Sequence, residues 1–148
     1  MRRIVTRTGA FGSDEVEVAL ELFDLGVASE GVPPLDPDYR WVGAVDGDAL
    51  VAVTCFGPTP ATDGTFDLYW LVVDPAHQGR GIGRSLLQEV ERTAAADGGR
   101  LLVVEASSRR GSDSARVFYV SRGYTELATL RDFYRRGDSR VILARRLT

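Results

Sequence analysis

Apolar positions along the chain change period several times, and each change marks a new element. Residues 2–8, RRIVTRT, carry a β-branched core and predict a first strand. Ser13, followed by Asp14 and Glu15, is an N-cap with acids in the first turn. Val16, Ala19, Leu20, Phe23 and Val27 then share one helical face. EGVPPLDPD stops that helix, and two strands follow, YRWVGAV and ALVAVTCF, joined by a DGD hairpin signal. TFDLYWLVVDP is an unbroken apolar run that predicts a strand buried on both faces. Ile82, Leu86, Val90 and Ala94 return to the helical period and end at Gly98-Gly99. RLLVVEAS predicts a strand, DSARVFYVSR a helix stopped by Gly123, and YTELATL and RVILARRL two last strands around RDFYRRGDS. The order is β-α-β-β-β-α-β-α-β-β, an α/β chain best packed as one mixed sheet with helices on both faces.

The 148 residues suffice for a single domain, 1–148, with its own core. A net charge of −3 gives no general attraction to nucleic acid or to an anionic membrane. No apolar run is long enough to span a bilayer, and the N-terminus lacks the apolar stretch of a signal peptide, so a cytoplasmic protein is expected. Cys55 is the only cysteine and His77 the only histidine, which excludes a disulfide and the usual zinc motifs, so no metal is expected. All 18 basic residues are arginine, which removes Walker-A and Schiff-base chemistry. Cys55 alternates with Val51 and Val53 and predicts a buried small hydrophobe, and His77 a solvated turn residue.

The stretch VDPAHQGRGIGRSLL places three glycines between a buried strand and a helix start. Free N–H groups of a helix's first turn, with no Cβ atoms in the way, make a cradle for phosphate, and Arg80 and Arg84 offer countercharge. A Rossmann fingerprint from Gly79 would need glycine or alanine where Arg84 stands, so that reading fails; a tight turn without ligand is the alternative.

QGRGIG, residues 78–83, resembles the Q/R-x-x-G-x-G/A loop of the Gcn5-related N-acetyltransferases, the GNAT superfamily. SARVFYVSRGY, residues 114–124, resembles that family's A-x-x-F-Y-x-x-x-G-F/Y segment, about 35 residues on with a strand between. The resemblance implies one GNAT-like domain with a mostly antiparallel sheet, binding acetyl-coenzyme A. It places the pyrophosphate on the backbone of Gly79, Arg80, Gly81, Ile82, Gly83 and Arg84, flanked by Gln78, and the pantetheine arm along Leu71, Val72 and Val73. A backbone N–H near Leu71 becomes the donor to the acetyl oxygen. Tyr119 matches the tyrosine beside the sulfur, which implies that it faces the cofactor while Phe118 faces the core. Arg116 and Ser112 are placed with the cofactor too, although Ser112 stands where many members have asparagine and reaches less far. Arg109 and Arg110 are candidates for the 3′-phosphate.

The acceptor amine must be neutral to attack. Asp67, eleven residues before Gln78, occupies the spacing of the glutamate base in the histone-acetyltransferase branch; simple alternation puts it on one strand face with Tyr69, Leu71 and Val73. Its alternative is an ordinary polar residue at a strand start. Glu105 is a second candidate, for base or substrate contact, or merely a strand end. The resemblance thus implies direct transfer to a primary amine of a small molecule, with a protein N-terminus or lysine, or a non-catalytic coenzyme A-binding module, as alternatives. Glu30, Asp36 and Asp38 with Arg135 and Arg136 would suit an amino-acid-like acceptor. A homodimer is common in the family, and no interface is legible in the sequence.

Overall fold

The computed structural model describes residues 1–9, 11–26, 36, 38–109 and 113–147. Its elements run α1 (Arg2–Arg7), α2 (Ser13–Gly26), β1 (Arg40–Asp46), β2 (Ala49–Pro58), β3 (Thr65–Val73), a 3₁₀ turn (Pro75–His77), α3 (Ile82–Ala96), β4 (Leu101–Ser107), α4 (Asp113–Val120), β5 (Thr125–Arg135) and β6 (Asp138–Arg146). Six strands form one sheet in the order β1-β2-β3-β4-β6-β5, and only the β3/β4 pair is parallel.

The sheet separates two apolar layers. On one face Leu87 and Val90 of α3 and Tyr119 of α4 pack on Phe56, Phe66, Leu68, Leu102, Val104, Val141 and Leu143. On the other, Ile4 of α1 packs on Val53 and Val72, with Trp41 and Trp70 alongside. Trp41 also binds α2, through an edge-on contact with Phe23 at 5.1 Å and an indole N–H donated to the Leu22 carbonyl at 3.1 Å.

The expected first strand is a helix. Ile4 and Val5 are consecutive and both buried, at 1% and 0% exposure, which an alternating half-buried strand does not achieve. Arg2 binds Glu17 of α2 and Arg7 binds Asp74, so tertiary partners override the β-branched preference. The last hairpin also departs from the sequence reading. β5 runs on to Arg135, but the register jumps from Leu130↔Arg140 to Arg135↔Asp138, so β5 carries three more residues than β6 over that stretch. Asp132 takes a left-handed φ of 53° there, and its carboxylate accepts the Gly137 N–H at 2.6 Å.

Candidate active site

β3 and β4 pair only from Thr65↔Leu101 to Leu68↔Val104. Beyond Leu68, β3 continues against β2 alone, and beyond Val104, β4 continues against β6 alone, which opens a wedge in the sheet. The Asp74 N–H donates to the Val51 carbonyl at 2.8 Å, so positions 72 and 74 turn their backbone groups toward β2. Leu71 and Val73 therefore turn theirs to the open side. The Val73 carbonyl is taken by the Gln78 side-chain amide at 3.1 Å. Gln78 thus closes the turn, and the Leu71 N–H is left directed into the wedge.

A bulge sets the faces of β3. Cys55 pairs with Trp70 and Phe56 with Leu68, so Tyr69 is an extra residue with no partner on β2. Phe66, Leu68 and Leu71 lie on the α3 side, whereas Trp70 and Val72 lie on the α1 side. The bulge overturns the expected alternation: Asp67, between Phe66 and Leu68, lies on the opposite face from Leu71. Asp67 is half-buried and accepts the Thr59 hydroxyl at 2.7 Å. Near it, Tyr69 packs on Tyr39 with ring centroids 5.4 Å apart. Burial first, and then the Asp67 carboxylate, push the Tyr69 phenol up to about 12. A Cβ on Gly57, the β2 partner of Asp67, would stand 1.9 Å from the Asp38 carbonyl, so only glycine lets that segment cross the strand. Asp38, Tyr39, Asp67 and Tyr69 form one acidic, aromatic group that sequence reasoning did not assemble.

The glycine turn rests on a carboxylate that sequence reasoning also missed. Asp74 is 1% exposed; it accepts the Ala76 N–H at 3.0 Å, capping the 3₁₀ turn, and the Arg7 guanidinium at 2.9 Å. The Asp-Pro pair after a strand is a legible cap signal. His77 is drawn in rather than solvated, with Nε2 3.3 Å from Asp46 and Nδ1 4.0 Å from Asp74. Gly79 and Gly81 take φ of 75° and 83°, which L side chains adopt only with strain, and added Cβ atoms at either would meet open space. Gly83 is helical; its Cβ would make ordinary 3.5 Å contacts with Phe118 and Val73. Gly81 caps α3 without a side-chain hydrogen bond, and Ser85 is the first to donate to the Gly81 carbonyl, at 3.0 Å. The N–H groups of Ile82, Gly83 and Arg84 are therefore free for an anion.

Tyr119 is the more buried of the two aromatic neighbours on α4, at 7% exposure, and Phe118 is the half-buried one beside the turn. Both rings thus pack in the core, Tyr119 the more deeply, where Phe118 was expected in the core and Tyr119 toward the cofactor. Tyr119 packs edge-on against Phe118 at 5.1 Å and Tyr124 at 5.4 Å, and its hydroxyl has no hydrogen-bond partner among the described residues. Burial holds its phenol well above the usual range, so it stays protonated. Glu105 is engaged by Arg140, whose guanidinium lies 4.8 Å from the Phe133 ring centroid. Arg116 turns to Glu126 at 3.0 Å, Arg109 to Asp138 at 3.9 Å and Arg135 to Asp138 at 3.6 Å. Ser112, Arg110 and Glu30 lie outside the described residues. Cys55 is fully buried as expected, and burial pushes its thiol up to about 12, which leaves no thiolate to carry an acyl group. Among the described residues no group of side chains could hold a metal ion, and no helix is long and apolar enough to cross a membrane.

An open strand edge for an amide-rich arm, free helix N–H groups for a pyrophosphate and a protonated phenol fit acetyl-coenzyme A. Residues 37–126 match the model of the acetyltransferase (GNAT) domain. The chain is 36% identical over 102 residues to the N-alpha-acetyltransferase RimI of Mycobacterium tuberculosis, covering 67% of this chain and 60% of that protein. It is 34% identical over 122 residues to mycothiol acetyltransferase of Beutenbergia cavernae, covering 80% of this chain and 39% of that one. The aligned stretches thus span less than two thirds of the length of these curated relatives. Among solved structures, a GNAT-family protein of Desulfovibrio desulfuricans superimposes with a TM-score of 0.91 at 40% identity, covering 99% of this chain and 90% of that one. An aminoglycoside 6′-N-acetyltransferase complexed with coenzyme A shares the fold at a TM-score of 0.78 and 17% identity, covering 100% and 89%. With its wedge, glycine turn and paired motifs in place, this chain belongs to the GNAT family of acetyltransferases.

Proposed function

We propose that the protein is an acetyl-coenzyme A-dependent N-acetyltransferase that acetylates a primary amine of a small molecule by direct transfer in a ternary complex. The observation that carries this reading is the β3/β4 wedge, with the Leu71 N–H directed into it and the uncapped start of α3 at its mouth. Bound acetyl-coenzyme A supplies a thioester carbon open to attack by an amine. The Leu71 N–H holds the carbonyl oxygen, on a strand fixed by β2 along its other edge, so the donor needs no rearrangement as charge develops. The Tyr119 hydroxyl, kept protonated by burial, gives its proton to the departing sulfur. Asp67 is the carboxylate placed to take the amine's proton, through water given its short side chain. Glu105, engaged by Arg140, is better suited to hold charge in place than to accept a proton.

The group formed by Asp38, Tyr39, Asp67 and Tyr69 supports a cationic acceptor, since among the described residues no arginine is paired with either carboxylate. A polypeptide α-amine is the second reading, favoured by the 36% identity to RimI. Thiol release from acetyl-coenzyme A, measured against small amines, amino acids, a peptide with a free N-terminus and an Nα-blocked lysine peptide, separates these. Cofactor binding without turnover on any amine would sink the catalytic reading and leave a binding module.

A further inference from the structure

The acceptor side of the wedge has a second wall, and its charge is opposite to that of the first. Val104 and Ala106 of β4 and Val141 and Leu143 of β6 lie on the α3 side of the sheet. Alternation along the two strands therefore puts Glu105, Ser107, Asp138 and Arg140 on the other face, across the wedge from Asp67 and Tyr69. Asp138 is 3% exposed and accepts the Ser107 hydroxyl on one oxygen. The Nε atoms of Arg109 and Arg135 stand 3.9 and 3.6 Å from its other oxygen, close enough for attraction but too far for hydrogen bonds. Both guanidiniums are more than half exposed, and among the described residues neither side chain makes a hydrogen bond. Arg140 is balanced by Glu105. Arg109, Arg135 and Arg140 thus share Glu105 and Asp138, which leaves a surplus positive charge and two unused forks of donors on this wall. Asp38 and Asp67 stand opposite, with no arginine partner among the described residues.

The last hairpin roofs this wall. Where β5 arches away from β6, Phe133 lies over Arg140, with the guanidinium carbon 4.8 Å from the ring centroid. Burial first, then Glu15 of α2 and Asp138, hold the Tyr134 phenol above its usual range, so the arch reaches from Asp138 toward the start of α2. We propose that Arg109 and Arg135 bind a carboxylate, and that the acceptor is an amine which also carries one: its nitrogen lies toward Asp67 and its carboxylate on the two arginines. The inference rests on the acetyl-transfer reading and names its substrate class. A guanidinium fork matches a carboxylate in shape and charge. The buried Asp138 holds both forks near one spot without consuming their N–H groups. Walls of opposite sign orient such a zwitterion one way round, with the amine toward the Leu71 N–H that holds the carbonyl oxygen. A diamine would set its second cation against the surplus arginine, and a plain monoamine would leave both forks empty.

Thiol release from acetyl-coenzyme A by the full chain, with alanine, phenylalanine and β-alanine each supplied as the free acid and as the amide, tests the wall. Members of a pair differ only in whether they carry the carboxylate. The amide's amine is the less basic and more often neutral, so intrinsic reactivity works against the expected result. For at least one pair, kcat/KM is expected to be about tenfold higher for the acid, the return of one charge-assisted hydrogen bond. Arg109→Gln combined with Arg135→Gln should cut that preference to about twofold or less, with kcat/KM for the amide and KM for acetyl-coenzyme A within about twofold of the unaltered protein. Both side chains are exposed, so folding is not at stake. Arg92→Gln, which removes an exposed guanidinium from α3, should keep the preference. Equal use of acid and amide in every pair, turnover confined to amines without a carboxylate, a preference that survives the double variant, or one that Arg92→Gln abolishes as fully, would overturn the carboxylate assignment alone. No thiol release with these or any of the other amines and peptides would overturn the acetyl-transfer reading with it.

Discussion

Replacing Arg7 by alanine strips the guanidinium partner from a carboxylate that is 1% exposed, and the cost can be worked out before it is measured. Breaking a fully buried ion pair by removing one partner costs about 3–5 kcal/mol. Arg7 is 49% exposed, so water already screens the pair, and about 2 kcal/mol is the better expectation. Asp74→Ala loses the same pair and also the cap on the Ala76 N–H, itself worth about 1 kcal/mol, but it leaves Arg7 free to turn to water. It too should cost about 2 kcal/mol. The double variant should then be no less stable than Asp74→Ala alone, giving a coupling of about 2 kcal/mol, well above the ~0.5 kcal/mol scatter of independent sites. Urea unfolding of the four proteins measures this cycle, and each single variant should melt about 4–8 °C lower at this chain length. Additive losses within about 0.5 kcal/mol would refute the reasoning, because they would mean that Asp74 does not need Arg7.

Tyr119→Phe keeps the ring contacts and removes only the proton donor, so kcat should fall about 10²–10⁴-fold with little change in KM for acetyl-coenzyme A; an unchanged kcat in steady-state assays would remove Tyr119 from the mechanism. Gly81→Ala forces an L residue to φ of 83°, a strain of about 1–2 kcal/mol, and should raise KM for acetyl-coenzyme A, whereas Gly83→Ala, with room at 3.5 Å, should leave it within about twofold. The Tyr69, Tyr119 and Tyr124 phenols are all held above their ordinary value of 10.0, so the folded state keeps protons that the unfolded chain releases. Their contribution to stability is complete below pH 10 and is lost as pH rises past it; thermal melts at pH 9 and 11 should show the fall, and Tyr119→Phe should make it shallower.

Much of the scaffold was legible because its local signals agree with its packing. The Ile82, Leu86, Val90 and Ala94 stripe, ended by Gly98-Gly99, became α3, and the DGD turn became the β1/β2 hairpin with Gly47 at φ 58°. Where local and long-range forces disagree, the pattern misled. RRIVTR has strand composition, but it folds as α1 because Arg2, Arg7 and both apolar residues find partners far along the chain. RDFYRRGDS read as a loop since its polar residues hide a strand whose extra residues arch away from β6. The Arg7–Asp74 pair joins positions too far apart for spacing to connect, although the cap half of Asp74's role stood in the Asp-Pro pair. Tyr69 shows the limit most clearly, since a bulge is one ordinary residue too many and carries no composition of its own.

That one residue decides which side of the sheet does what. Without the bulge, Asp67 and Leu71 would share a face, and acid, thioester and phenol would crowd onto the α3 side. With it, Tyr119 stays on the α3 side while Asp67 joins Asp38, Tyr39 and Tyr69 on the other, and the Leu71 N–H lies between them in the plane of the sheet. On the acetyl-transfer reading, the amine adds to the thioester carbon from the acceptor side, and the tetrahedral intermediate held by the Leu71 N–H expels the sulfur toward Tyr119, so the two substrates have separate walls. Changes on each wall should therefore act on one substrate only. Tyr39→Ala removes a ring from the acceptor face alone and should raise KM for the amine about tenfold, with KM for acetyl-coenzyme A unchanged. Initial rates with both substrates varied in turn measure the split, and a matched rise in both constants would show that the bulge does not partition the site.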